Sequence, residues 1–177
     1  MPIYEFEGKK PSIGNNCFIA PNATIIGDVT IGDDCSIWFG TVIRGDVNKI
    51  SIKNGTNVQD NSIIHVNTTR DTIIGENVTI GHGALVHACT IKDRSLIGNR
   101  SVIHDEVIIG EDSLIAPGCV VTDRTEIPSK SMVMGIPGKI KREITEKDIE
   151  KMKGVNHYHT FRRNFCSISY HTTWSYQ

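Results

Sequence analysis

Aliphatic residues recur along this chain every six positions, a spacing that neither an α-helix nor a simple alternating strand produces. The first series runs without a gap from Ile13 to Ile43. Insertions of three and four residues separate it from the series Ile52 to Ile64 and Ile74 to Val86. After a one-residue deletion, the last series runs from Ile91 to Ile127. A fixed short period of this kind indicates a repeat protein.

A second column of small residues supports the same period. These residues stand four places after most of the aliphatics: Cys17, Ala23, Val29, Cys35, Thr41, Val47, Thr56, Ser62, Val78, Ala84, Ser95, Ser101, Val107, Ser113, Cys119 and Thr125. Each hexad predicts one short parallel strand and a turn, and three hexads make one triangular coil. The sequence therefore predicts an all-β fold, a parallel β-helix of hexapeptide repeats in which Cys17, Cys35 and Cys119 are packing residues.

The repeat divides the chain into three parts. Residues 1–140 are predicted to form the β-helix domain, and residues 141–166 a C-terminal α-helix packed against the prism. Thr145 and Asp148 offer a variant of the capping box that begins a helix. Apolar residues follow mostly at steps of three and four: Ile149, Met152, Tyr158, Phe161 and Phe165. Residues 167–177 show no clear pattern, and partial disorder is one interpretation of this tail.

Composition narrows the class of protein. The 177 residues carry a net charge of −1, and scattered Lys and Arg give no footprint for nucleic acid or an anionic membrane. No apolar run approaches the length of a membrane span, so we expect a cytoplasmic protein. Five cysteines without CxxC spacing argue against both a disulfide framework and a cysteine zinc site.

The repeat places two histidines together. His65 follows Ile64 and His87 follows Val86, and these two aliphatics stand three hexads apart, which is one full coil. The two imidazoles should therefore stack on the same face at about 4.8 Å, the spacing of neighbouring strands. That separation allows both to bind one zinc ion.

His82 occupies a different place in the repeat. It stands two positions after Ile80, on the preceding face, where it should not reach a metal held by His65 and His87 of its own chain. It could reach a metal on a neighbouring chain, which predicts a homotrimer with three shared sites. The alternative is that each histidine is an ordinary surface residue.

Three further polar residues lie in the same columns. Arg44 should stack one coil below His65, and Asp60 directly beneath His82. Arg44 of one chain could then pair with Asp60 or Asp46 of another and orient the interface. The alternative is a surface salt-bridge network of little energetic value.

Four stretches resemble the gamma-class carbonic anhydrases and their close relatives: "SIWFGTVIRGDVN", "NVQDNSIIHVN", "IGHGALVHACTI" and "MGIPGK". The resemblance covers roughly residues 10–165 and implies a left-handed β-helix and a homotrimer. It also implies a role for each matching position. These are His65, His82 and His87 as zinc ligands, Gln59 orienting the reactive water, Arg44 and Asp60 as an interface pair, and Asp46 and Asn57 as active-site polar residues.

The implied activity is zinc-dependent reversible hydration of carbon dioxide to bicarbonate, although three imidazoles would also accept Fe²⁺ or Co²⁺. The loop "VNTTRD" is too short to carry the acidic proton shuttle of well-characterised relatives. His104, one coil above His87, is a candidate pocket-wall group or substitute proton relay, with an inert histidine as the alternative. Two other functions stay open: a metal-binding trimer with little or no hydratase activity, and a hexapeptide acyltransferase or thioesterase acting on coenzyme A substrates.

Overall fold

A computed structural model describes residues 2–155 of the chain. Within them, short strands and one helix follow one another: β1 Ile3–Tyr4, β2 Ser12–Ile13, β3 Phe18–Ile19, β4 Thr24–Ile31, β5 Ser36–Ile37, β6 Val42–Ile52, β7 Asn57–Val58, β8 Ile63–His65, β9 Thr72–Ile74, β10 Thr79–Ile80, β11 Leu85–His87, β12 Thr90–Ile91, β13 Leu96–Ile97, β14 Val102–Ile103, β15 Ile108–Ile109, β16 Leu114–Ile115, β17 Val120–Val121, β18 Glu126–Ile127, β19 Ser131–Met134, β20 Lys139–Glu143 and α1 Glu146–Val155.

The strands stack into a parallel solenoid of about seven turns with three faces. Face 1 consists of β3, β5, β7, β10, β13, β16 and β19. Face 2 consists of the first halves of β4 and β6, followed by β8, β11, β14 and β17. Face 3 consists of β2, the second halves of β4 and β6, and then β9, β12, β15 and β18. The predicted parallel β-helix of hexapeptide repeats is confirmed.

The aliphatic column forms the core of the prism. Ile25, Ile43, Ile64, Val86 and Ile103 are fully buried and lie in register on successive coils of face 2. Burial of one such side chain stabilises the fold by about 1.5–3 kcal/mol. The ladder therefore fixes which residues lie next to each other on neighbouring coils.

Small residues complete the interior. Ser62 Oγ donates to the carbonyl of Gly81 over 2.9 Å, and Thr56 Oγ1 donates to the carbonyl of Gly75 over 2.7 Å. Cys35 and Cys119 are buried free thiols, as their packing role predicts, and Cys17 is partly buried. Val47 departs from the column: it is 50% exposed, because β6 runs through the three-residue insertion as extended chain.

The C-terminal boundary differs from the predicted one. Residues 141–143 are not helical but belong to β20, which pairs antiparallel with β19. An antiparallel strand here covers the backbone edge that β19 would otherwise leave open on face 1. The helix begins at Glu146 and packs on face 1, where Ile149 and Met152 line a cleft with Leu96. Residues 156–166 and the tail 167–177 lie outside the described residues.

The predicted capping box is present. Asp148 Oδ2 accepts hydrogen bonds from the backbone N–H of Thr145 (2.8 Å) and from its hydroxyl (2.6 Å). The N–H of Asp148 donates in return to Thr145 Oγ1 over 3.3 Å. Arg142 Nη1 donates to the same carboxylate over 2.6 Å and ties the helix to β20. The Arg142 guanidinium and the two Thr145 donors hold the pKa of Asp148 well below its usual range.

Two neighbouring isoleucines allow a test of which side chains point into the core and which point outward. Ile74 is fully buried, whereas Ile73 is 38% exposed on the outside of the same strand. We expect Ile74→Ala to lower the free energy of unfolding by about 2–5 kcal/mol because it leaves a cavity in the ladder. Ile73→Ala is the matched control and should cost less than about 1 kcal/mol. Chemical denaturation measures both, and equal losses would contradict the assignment.

The capping carboxylate makes a pH-dependent prediction. Because the pKa of Asp148 is lowered in the folded state, its stabilisation is fully present above about pH 4 and is lost as the pH falls through the folded value. Asp148→Asn should therefore lower the midpoint of thermal unfolding at pH 7, and the difference from wild type should shrink below about pH 4. Glu150→Gln, on the exposed side of α1, is the control. A difference that stays constant with pH would rule out the carboxylate as its source.

Candidate metal centre

His65 and His87 stack on the outside of face 2. Their neighbours Ile64 and Val86 point inward, so the alternation of a strand turns both imidazoles outward. The two histidines are direct partners in the β8–β11 register, as the repeat predicts. His65 Nδ1 lies 3.1 Å from His87 Nε2, and the ring centroids are 5.1 Å apart.

The outer nitrogen of each ring is held by an aspartate. Asp46 Oδ1 lies 2.9 Å from His65 Nε2, and Asp105 Oδ1 forms a hydrogen bond with His87 Nδ1. A carboxylate can only accept, so each outer nitrogen is the donor and carries the proton. In the neutral rings the two inner nitrogens, His65 Nδ1 and His87 Nε2, then both carry lone pairs and face each other.

Two facing lone pairs repel unless a proton or a metal ion lies between them. Two nitrogens bound to one tetrahedral zinc at about 2.0–2.1 Å would stand about 3.3 Å apart. The observed 3.1 Å is close to that separation, so the pair fits two ligands of one metal ion. Within residues 2–155, no three or more His, Cys, Asp or Glu side chains are grouped to hold a metal.

His82 lies at the corner between faces 1 and 2. Gly83, with φ of 67°, turns the chain there, and the Gly83 N–H donates to the carbonyl of Asp60 on the coil below. As predicted, Asp60 lies beneath His82, and its Oδ2 is 2.9 Å from His82 Nδ1. This carboxylate places the proton on Nδ1, so that Nε2 of His82 carries the lone pair. In the described part of one chain, His82 does not join His65 and His87.

Asp46 and Asp105 can accept these hydrogen bonds as carboxylates because their pKa values are lowered. Burial alone would raise the pKa of Asp46, but the hydrogen bond from His65 and the charge of Arg44 lower it overall. Burial likewise works against the charge of Asp105, and hydrogen bonds from His87 and Asn67 lower its pKa below the usual value. Both groups are therefore carboxylates at neutral pH.

Arg44 lies where the repeat predicts, in register with His65 on the coil below. Within the chain it pairs with Asp46 rather than with Asp60, whose carboxylate is held by His82. One guanidinium, one carboxylate and one imidazole thus form a row along face 2: Arg44, Asp46 and His65.

Asn57 and Gln59 lie on and beside β7, both almost fully buried at 1% and 3% exposure. Asn57 Oδ1 accepts hydrogen bonds from Ser36 Oγ (2.9 Å) and from Trp38 Nε1 (2.8 Å). These two donors orient the amide, and its buried Nδ2 has no hydrogen-bond partner among the residues that the structure describes. An unsatisfied buried donor is costly, so this amide group is a position at which a function or a missing partner is expected.

The sequence pattern missed Asp105. It stands on the coil above His87, beside His104, which follows Ile103 as the repeat predicts. A carboxylate one coil from a candidate ligand is the signal that could have found it. His104 is half exposed, and its Nδ1 lies 3.5 Å from Asp123 Oδ1.

Outward apolar residues run beside the histidines. They occupy the position before the inward aliphatic on successive coils of face 2: Val42, Ile63, Leu85, Val102 and Val120. Ile63 is 46% exposed. Contiguous apolar surface of this kind typically marks a contact site. We name this row the apolar stripe.

In the described part of the chain, no helix is long and apolar enough to cross a membrane.

Comparisons with known proteins agree with the repeat. The family of bacterial transferase hexapeptide proteins (six repeats) matches residues 10–45 and 88–123. An X-ray structure of a putative acetyltransferase from Bacillus cereus superposes with a TM-score of 0.92 at 39% identity, covering 94% of this chain and 98% of that one. The fold is thus shared with a protein described by another activity, and fold alone does not decide function.

Two relatives point to one group within this fold. The chain is 47% identical over 141 residues to a probable carbonic anhydrase of Methanocaldococcus jannaschii, covering 80% of this chain and 89% of the relative. It is 42% identical over 147 residues to the mitochondrial gamma carbonic anhydrase 2 of Arabidopsis thaliana, of which it spans 53%. It spans about half the length of the plant relatives. The chain belongs to the hexapeptide-repeat family of the gamma carbonic anhydrases.

Proposed function

We propose that this protein is a metal-dependent carbonic anhydrase, a lyase that reversibly hydrates carbon dioxide to bicarbonate at sites shared between the chains of a trimer. One observation carries the proposal: His65 Nδ1 and His87 Nε2 converge at 3.1 Å while carboxylates occupy their outer nitrogens. Such an arrangement is suited to a cation that accepts two imidazole lone pairs.

The third ligand in this proposal is His82 of a neighbouring chain. Its ring is oriented by Asp60 in the same way as the other two rings are oriented by their aspartates. Within the described residues of one chain the three histidines do not form a group, and the apolar stripe beside His65 and His87 offers the contact surface. A cyclic trimer built on that surface would repeat the same heterologous contact three times.

Zinc held by three imidazoles activates water at neutral pH, and Fe²⁺ or Co²⁺ could serve in its place. Gln59, buried at the corner before β8, would orient the reacting water through its side-chain amide. Asn57, whose amide is oriented by Ser36 and Trp38, would hold Gln59 or the bound substrate in place.

Arg44, Asp46 and Asp60 have supporting roles in the proposal. Asp46 accepts from both Arg44 and His65, so the guanidinium neutralises the carboxylate that orients the ligand. Arg44 is 44% exposed in the single chain, which leaves it able to contact Asp60 of a neighbour. His104 as a proton relay and the cytoplasmic location both stay predictions.

Other activities of this fold place different demands on the site. A coenzyme A acyltransferase or thioesterase would not require paired imidazoles with oriented lone pairs. A metal-binding trimer without turnover would require them, so only a measurement of hydration separates it from an enzyme.

Metal removal tests the activity. The purified protein should contain about one divalent metal ion per chain and should accelerate the hydration of carbon dioxide in a stopped-flow indicator assay. Chelation should lower the rate to the uncatalysed level, and added Zn²⁺ should restore it. A fully zinc-loaded trimer without hydration would contradict the enzyme and leave the metal-binding trimer. Metal-independent hydrolysis of acetyl-coenzyme A would favour the thioesterase.

Mixed trimers test the shared site. His82→Ala and His87→Ala should each lose bound metal and activity. In a mixed cyclic trimer one site joins the intact pair of one variant to the intact His82 of the other. Equal, random mixing after unfolding and refolding should therefore restore about a quarter of the wild-type sites. Recovery of no sites would exclude sharing between chains, whereas stoichiometric metal in His82→Ala alone would exclude His82 as a ligand.

A further inference from the structure

The loop between β8 and β9 is built by hydrogen bonds rather than left as a simple connection. Asn67 Oδ1 accepts from the backbone N–H of Thr69 (2.9 Å), from the Thr69 hydroxyl (3.0 Å) and from the N–H of Arg70 (2.8 Å). Thr72 Oγ1 donates to the carbonyl of His65 over 2.6 Å at the end of the loop. These three hydrogen bonds to Oδ1 fix the orientation of the Asn67 side chain.

The nitrogen of the same amide reaches another part of the chain. Asn67 Nδ2 donates to Asp105 Oδ2 over 2.7 Å, a contact between residues 38 positions apart. The other oxygen of Asp105 accepts from His87 Nδ1. Each oxygen of this carboxylate therefore has a donor, Asn67 on one side and His87 on the other.

The contact determines the chemistry of His87. With Nδ1 as donor to Asp105, the lone pair of His87 lies on Nε2, which faces His65. A neutral histidine without such an acceptor can carry its proton on either nitrogen, and rotation about its side-chain bonds would carry Nε2 away from His65. Two fixed hydrogen bonds remove both freedoms before any metal arrives.

We propose that Asn67 and Asp105 form a clamp, here called the Asn67–Asp105 clamp, that holds His87 in the tautomer and direction needed to bind metal through Nε2. The inference rests on the proposed function and assigns a role to the short loop "VNTTRD". Asp105 and Asn67 are positioning residues, since Asp105 acts through His87 and Asn67 acts through Asp105. An ion pair between Arg70 and Glu106, at 3.8 Å, also ties the loop to the coil that carries Asp105.

Affinity for zinc tests the clamp without depending on turnover. Asp105→Asn should weaken Zn²⁺ binding about 10- to 100-fold in a competition titration with a chelator, because one of the two acceptor oxygens becomes an NH₂ donor that faces the donor of either Asn67 or His87. Asn67→Asp should also weaken it, because two carboxylates would then face each other. Asp123→Asn is the matched control: it removes the carboxylate beside His104 one coil further on, and should leave the affinity within about twofold.

The double exchange separates the clamp from general damage. When Asn67→Asp and Asp105→Asn are combined, the amide introduced at position 105 can accept from His87 through Oδ1. The same amide can donate through Nδ2 to the carboxylate introduced at position 67. The double variant should therefore recover most of the affinity that each single variant loses. Additive losses in the double variant would overturn the clamp.

The tautomer of His87, measured by NMR in the metal-free protein, is a second and independent test of the clamp. In wild type, ¹⁵N shifts of labelled histidine should show His87 protonated on Nδ1, and Asp105→Asn should shift that population toward Nε2. An unchanged tautomer together with unchanged zinc affinity would refute the clamp. Wild-type protein that binds no Zn²⁺ would instead refute the proposed function, while the tautomer measurement would still decide whether Asp105 holds His87.

Discussion

Burial of one aliphatic side chain per hexad, in register along the axis of the prism, is the constraint on which the other features depend. Ile43, Ile64, Val86 and Ile103 lie directly above one another and are fully buried. A slip of one residue would turn these side chains outward and bring polar groups into the core. The location of each residue next to a buried aliphatic in the sequence is therefore fixed as well. This is why His65 and His87 meet although 22 positions separate them.

Stacking alone does not make a metal site, because each imidazole must also be oriented. The carboxylates around the histidines provide that orientation. Three aspartates, Asp46, Asp60 and Asp105, each hold one ring nitrogen. Each ring is thereby left with one nitrogen whose lone pair has a defined direction. The chain uses hydrogen bonds from neighbouring coils and a loop to orient groups that, by themselves, repel each other. Binding of a cation would relieve this repulsion, so the arrangement favours a ligand that accepts lone pairs.

In the proposed site the described residues of a single chain do not bring the three ligands together, and the shape of the solenoid explains why. The corner that carries His82 turns away from face 2, because the direction of the backbone changes at Gly83. A ligand on a corner and two ligands on a face can converge only when one chain packs beside another. In the proposed trimer the apolar stripe would lie at this contact, beside His65 and His87.

The sequence by itself determined the repeat, the parallel prism, the stacking of His65 on His87 and the place of Asp60 beneath His82. It could do so because the six-residue period translates position directly into location. Only the tertiary structure decided that β20 pairs with β19, that Asn57 is held by Trp38, and that Asn67 and Asp105 converge on His87. Those contacts depend on side-chain rotamers and on loop geometry between coils. A periodic pattern of apolar residues specifies neither, since many arrangements of outward polar groups are compatible with the same buried ladder.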